Sequence, residues 1–142
     1  MLVPLGKLAL FAHDFVEALP KKEGARAHIV GLSGDLGAGK TTFVQHVARE
    51  LGVTDAVTSP TFVIAERYQI TRAPFTSLVH IDAYRLEPGE VPTIGWQDFI
   101  KDPKNLVLVE WPENLGDAFP KDAPLLTFVV ADETSRLISY GS

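Results

Sequence analysis

A chain of 142 residues, 46% apolar and 22% charged, has the composition of a soluble globular protein and a length for about one domain. The absence of cysteine excludes disulfides, iron–sulfur clusters and thiolate zinc sites, and no apolar run nears the roughly 20 residues of a membrane span. A net charge of −5 with scattered Lys and Arg argues against an unaided grip on a nucleic acid and, together with the missing cysteines, suits a cytoplasmic protein.

The first predicted element is an amphipathic helix from about Leu5 to Leu19, with Leu8, Phe11, Phe15, Ala18 and Leu19 at helical spacing. His13, Asp14 and Glu17 interrupt its apolar face and no basic leader precedes it, so it does not read as a signal peptide. Pro20 ends it. A short strand, Ala27 to Leu32, runs into a glycine-rich loop, Gly34 to Gly39. A second helix then spans Thr41 to Leu51, its stripe made by Phe43, Val44, Val47, Ala48 and Leu51, and Gly52 stops it.

The VTSPTF segment, Val57 to Phe62, reads as a polar loop with a proline, and Phe62 to Ile70 as a strand able to form one arm of a hairpin. Ser77 to Ala83 is a further strand, Glu87 to Pro92 a loop, and Ile94 to Ile100 a short helix. Asn105 to Val109 (NLVLV) has the continuous apolar character of a strand buried on both faces, and Glu110 follows it directly. Pro112 to Pro124 is turn-rich, and Leu125–Val130 with Arg136–Tyr140 form a closing strand pair. The expected fold is α/β: residues 1–142 as a single P-loop NTPase-like domain with a mixed, partly parallel sheet and flanking helices.

The central signal is Gly34-Asp35-Leu36-Gly37-Ala38-Gly39-Lys40-Thr41, which fits G-x-x-x-x-G-K-[ST] at every fixed position. Glycines let successive N–H groups turn inward toward phosphate oxygens, Lys40 brings a mobile cation for the β- and γ-phosphates, and Thr41 a hydroxyl ligand for Mg²⁺. The helix that follows points the positive end of its dipole at the same anion. A chance match in a glycine-rich turn is the competing reading; the strand before and the amphipathic helix after argue against it.

A P-loop needs a carboxylate at the end of a buried strand. Glu110 is the first candidate, delivered by NLVLV to the strand's carboxyl end, and Asp82, closing LVHID, is the second. Either could instead be an ordinary strand-end or turn-capping acid. His80 shares the strand face of Asp82, where a packed or hydrogen-bonded structural role is expected. Thr58, Ser59 and Thr61 lie on a loop able to sense the γ-phosphate, or simply on a proline turn. Trp111 adjoins Glu110 and by itself suggests core or interface.

Taken in order, GDLGAGKTTF, TSPTF, HIDAYRL and VEWPE resemble the motifs of the bacterial TsaE (YjeE) family, ATPases of tRNA threonylcarbamoyladenosine (t6A) biosynthesis, over about Gly34 to Glu113. The resemblance implies ATP and Mg²⁺ as cofactors, ATP hydrolysis that is slow in isolation, and work with TsaB-like and TsaD-like proteins that reach tRNA only as a complex. It implies that Leu36, Gly37, Ala38, Gly39, Lys40, Thr41 and Thr42 cradle the phosphates and that Thr41 and Glu110 hold Mg²⁺. Asp82 would serve turnover or coupling, and Ser59-Pro60-Thr61 a switch-like loop. Trp111 would influence activity or partner contact, and Arg136 would approach the nucleotide base. The catalytic set is then Lys40, Asp82 and Glu110.

Two further readings compete. A small-molecule P-loop kinase needs an acceptor pocket and usually an arginine-rich lid, whereas Arg67, Arg72 and Arg85 are dispersed. A non-catalytic, nucleotide-dependent assembly module would share the same loop. A guanine-reading N/T-K-x-D segment is missing, since Asp102-Pro-Lys-Asn105 does not fit it, so ATP is favoured over GTP.

Overall fold

A computed structural model describes residues 1–54 and 65–141. Among these residues seven strands form one sheet: β1 (Leu2–Pro4), β2 (His28–Gly34), β3 (Ala65–Gln69), β4 (Ser77–Asp82), β5 (Asn105–Glu110), β6 (Leu125–Asp132) and β7 (Ser135–Gly141). Their spatial order is β1-β7-β6-β2-β5-β4-β3. The four inner strands β6, β2, β5 and β4 run parallel, and antiparallel strands close both edges. The helices are α1 (Leu8–Glu17), α2 (Lys40–Glu50) and α3 (Trp96–Lys101). None of the described helices is long and apolar enough to cross a membrane.

Strand alternation sorts the side chains into two cores. Val30 and Leu32 of β2, Leu78 of β4, Leu106 and Leu108 of β5, and Leu126 and Phe128 of β6 pack with Leu8, Phe15 and Val16 of α1 and Phe43, Val44 and Val47 of α2. Ile29, Val79, Ile81, Val107 and Val109 face the other way, onto Trp96 of α3 and Leu115. β5 therefore has no polar face: every residue from Asn105 to Glu110 is buried, as the apolar run suggested. Gly31 of β2 points into the second layer, where an added Cβ would lie 2.8 Å from both Leu125 and Phe119.

Several boundaries differ from the sequence expectations. The first helix begins at Leu8, after the one-turn 3-10 segment Leu5–Lys7, because the residues before it are drawn into β1 by pairing with β7. Three residues carry too little pattern to announce such a strand. The expected loop at Glu87–Pro92 is a 3-10 segment, Pro88–Ile94, with a capping box between Glu87 and Glu90. Within the turn-rich stretch, Pro112–Ala118 forms 3-10 turns.

Candidate functional site

β2 ends at Gly34 and α2 begins at Lys40, so the glycine-rich loop sits between a central strand and a helix N-terminus. Each of its glycines has its own structural reason. Gly34 has φ +140° and lies directly against the Phe128 carbonyl of β6, so no side chain fits between the two strands. Gly37 at φ +80° and Gly39 at φ +104° are in the left-handed region, which lets the chain reverse into α2. The N-cap of α2, Gly39, has no side chain with which to cap it. The first-turn amides of Lys40, Thr41 and Thr42 have no intrahelical acceptor, and this helix N-terminus directly follows the glycine loop.

The loop's carbonyls are held from outside. Lys40 Nζ donates to the Gly34 carbonyl, and Arg136, reaching across from β7, donates from Nη2 to the Gly37 carbonyl at 3.3 Å. Arg136 also donates to the carbonyls of Asp132 and Ser135, which fixes its guanidinium beside the loop. The Ala38 amide is used internally, donating to Asp35 O at 3.1 Å. Leu36 and Thr42 are exposed at the loop's rim, while Ala38 is buried.

The carboxylates arrive by register. Leu32, Glu110 and Asp82 are aligned on β2, β5 and β4, and the face they share with Leu108, Leu78 and Val30 is the one that carries α2. Glu110, only 3% exposed, thus meets Thr41, whose Oγ1 donates toward Oε1 at 2.8 Å and Oε2 at 3.0 Å. On its other side Glu110 Oε2 lies 2.6 Å from His80 Nε2. Asp82, one strand over, accepts from the Tyr84 amide at 3.1 Å.

Lys40 is buried, with its ammonium 3.6 Å from the centre of the Trp111 ring. Burial pushes its pKa down, against the opposing pull of Glu110, Glu113, Asp82 and Asp35. Trp111 takes φ 60° and ψ 52°, a left-handed conformation that costs a bulky residue on the order of 1–3 kcal/mol. That turn brings its ring over Lys40 and beside Tyr84, with ring centres 5.1 Å apart.

The structure therefore gathers Lys40, Thr41, Glu110, Trp111 and Arg136 around one loop, with Asp82 in register beside Glu110. Ser59 and Thr61, with Thr58 and Pro60, lie outside the described residues. The contact of His80 with Glu110 and that of Glu113 with Ser33, whose Oγ donates to Oε2 at 3.2 Å, were not expected. The signal for His80 was available: it stands two residues before Asp82, on the same face. Arg67 and Arg72 are engaged elsewhere, with Ser77 and with Val16 and Glu17.

One hydroxyl and one carboxylate converging at a helix N-terminus are hard oxygen donors of the kind Mg²⁺ takes when phosphate and water complete its shell. The donor set fits that ion in chemistry and in number.

Residues 7–138 match the family model described as threonylcarbamoyl adenosine biosynthesis protein TsaE. A tRNA threonylcarbamoyladenosine biosynthesis protein TsaE from Synechocystis is 46% identical over 93 residues, covering 61% of this chain and 55% of that protein. Its counterpart from Haemophilus influenzae is 35% identical over 129 residues, 90% of this chain and 78% of that one. The chain thus spans little more than half the length of the first of these relatives. The crystal structure of Bacillus subtilis YdiB superimposes with a TM-score of 0.68 at 25% identity, covering 99% of this chain and 82% of that one.

Proposed function

This chain belongs to the TsaE family, and we propose that it is a single-domain, cytoplasmic, ATP-binding and Mg²⁺-dependent ATPase that supports t6A modification of tRNA. It would act with TsaB-like and TsaD-like proteins and reach tRNA only through them. The observation that carries the reading is the meeting of Thr41 with Glu110: the last fixed residue of the glycine loop and a buried strand-end carboxylate, 69 residues apart, share a hydrogen bond.

In this reading the first-turn amides of α2 receive the phosphates, and the glycines leave the backbone bare for close approach. Lys40 exchanges the Gly34 carbonyl for phosphate oxygens, a short swing for a side chain already at the loop. Thr41 and Glu110 hold the cation; Mg²⁺, when bound, supplies neutralisation of the charge on the β- and γ-phosphates. Trp111 screens the lysine from water, and Arg136 keeps the outer side of the loop in shape. Asp82, the register neighbour of Glu110, would assist turnover or transmit it to a partner.

The test is t6A content of tRNA in cells whose own family member is depleted, with ATP hydrolysis measured alongside in the presence of TsaB-like and TsaD-like proteins. Wild-type chain should restore both, and Lys40→Ala neither. Restoration of t6A by a Glu110→Ala chain that no longer hydrolyses ATP would replace the ATPase reading with that of an assembly module.

A further inference from the structure

His80 lies in β4 with none of its surface exposed, and a fully buried imidazole has two polar nitrogens to satisfy. Only one of them is satisfied: Nε2 meets Glu110 Oε2 at 2.6 Å, while Nδ1 is buried without a hydrogen-bond partner among the described residues. An apolar residue would fill the same place beside Leu108, the register partner of His80 on β5, at lower desolvation cost. The stranded Nδ1 marks a side chain kept for what its other nitrogen does.

That nitrogen works on the orientation of Glu110. A carboxylate accepts and does not donate, so the proton of this contact sits on Nε2, which donates to Oε2. Thr41 Oγ1 lies nearer Oε1, at 2.8 Å, than Oε2, at 3.0 Å, and the imidazole takes Oε2. With one oxygen held by the ring, the carboxylate cannot rotate about its terminal bond without breaking a buried, charge-assisted contact. Among the described residues Oε1 meets the Thr41 hydroxyl, which leaves it a lone pair to spare.

We propose that His80 is a positioning residue for the candidate site: it fixes the plane of the Glu110 carboxylate so that Oε1 faces the divalent cation held with Thr41. The proposal rests on the Mg²⁺ reading above. His80 itself touches neither cation nor nucleotide, and it acts through Glu110.

The experiment compares His80→Leu, which removes the donor and keeps an apolar filling, with His80→Gln, whose amide nitrogen extends toward the place of Nε2, and His80→Asn, whose amide is too short to reach it. Three quantities are read: the thermal midpoint, affinity for a fluorescent ATP analogue in EDTA, and the Mg²⁺ concentration that half-saturates the gain in that affinity. His80→Leu and His80→Asn should raise the Mg²⁺ requirement about tenfold or more, as loss of an outer-sphere support of a ligand does. Affinity in EDTA should stay within about twofold of the wild type, a change well under 1 kcal/mol. His80→Gln should recover most of the loss. In the wild-type chain without nucleotide, the ¹⁵N spectrum of labelled histidine should show His80 protonated at Nε2 and displaced in Glu110→Gln.

A folded His80→Leu with the wild-type Mg²⁺ requirement, equal behaviour of the Gln and Asn variants, or an Nε2 that carries no proton would overturn the proposal while leaving the nucleotide site standing. A wild-type chain whose nucleotide affinity gains nothing from Mg²⁺ would overturn the site reading and the proposal together.

Discussion

Replacing Thr41 by Val removes one hydroxyl and keeps both the β-branch and the volume at the start of α2. The hydroxyl is the hydrogen-bond donor that Glu110 receives from the loop, at 2.8 and 3.0 Å, and Glu110 is 3% exposed. Water cannot readily take its place, and among the described residues the carboxylate keeps the hydrogen bond of His80. A hydrogen bond to a charged group contributes about 1.5–3 kcal/mol, so the fold should lose up to that amount, a fall of roughly 3 °C in Tm per kcal/mol. The larger effect falls on the cation. With a ligand gone and its carboxylate partner loosened, the same 1.5–3 kcal/mol corresponds to about a ten- to hundredfold weaker response of ATP affinity to Mg²⁺. Calorimetric titration of ATP with Mg²⁺ and with EDTA separates the two: Thr41→Val should match wild type in EDTA and fall short with Mg²⁺, and Thr41→Ser should restore the difference. Equal Mg²⁺ enhancement in wild type and Thr41→Val would refute the metal assignment of Thr41.

Gly34→Ala should destabilise by about 2–4 kcal/mol, because it combines a positive φ with a Cβ driven into the Phe128 carbonyl; chemical denaturation reads this directly, and a neutral result would contradict the close approach of β2 to β6. The exposed pair His13–Glu50, 2.8 Å apart, ties α1 to α2, and the hydrogen bond and charge of Glu50 raise the His13 pKa above 6.5. Its contribution is therefore present in full below pH 6.5 and is lost as pH rises through the raised value. NMR titration should show that rise vanishing in Glu50→Gln. Burial lowers the pKa of His28, so its effect has the opposite sense: stability falls as pH drops below 6.5. The acid limb of a stability–pH curve should flatten in His28→Gln.

How much of this was legible beforehand follows from the range of each interaction. The strand–loop–helix unit around Gly34–Thr41 was readable because its determinants are local: an apolar run, glycines at turn positions, a periodic stripe. Glu110 was readable because a strand apolar on both faces announces its own carboxyl end. The strand order was not, because the pairing of β2 with both β5 and β6 joins segments remote in sequence. Nor was the reason for Gly34 legible: the motif explains a loop glycine by phosphate, while this one is required by a strand neighbour more than ninety positions away. The left-handed Trp111 lies beyond pattern reading for a related cause: only the tertiary contact with Lys40 shows what the strained turn achieves.

The most direct test of the central claim is an amide ¹H–¹⁵N titration of the chain with ATP and Mg²⁺. Shifts should concentrate at Gly37, Gly39, Lys40, Thr41 and Thr42, with a Mg²⁺-dependent change at Glu110. Saturable binding that leaves those amides unmoved, or no binding at millimolar ATP, would contradict it.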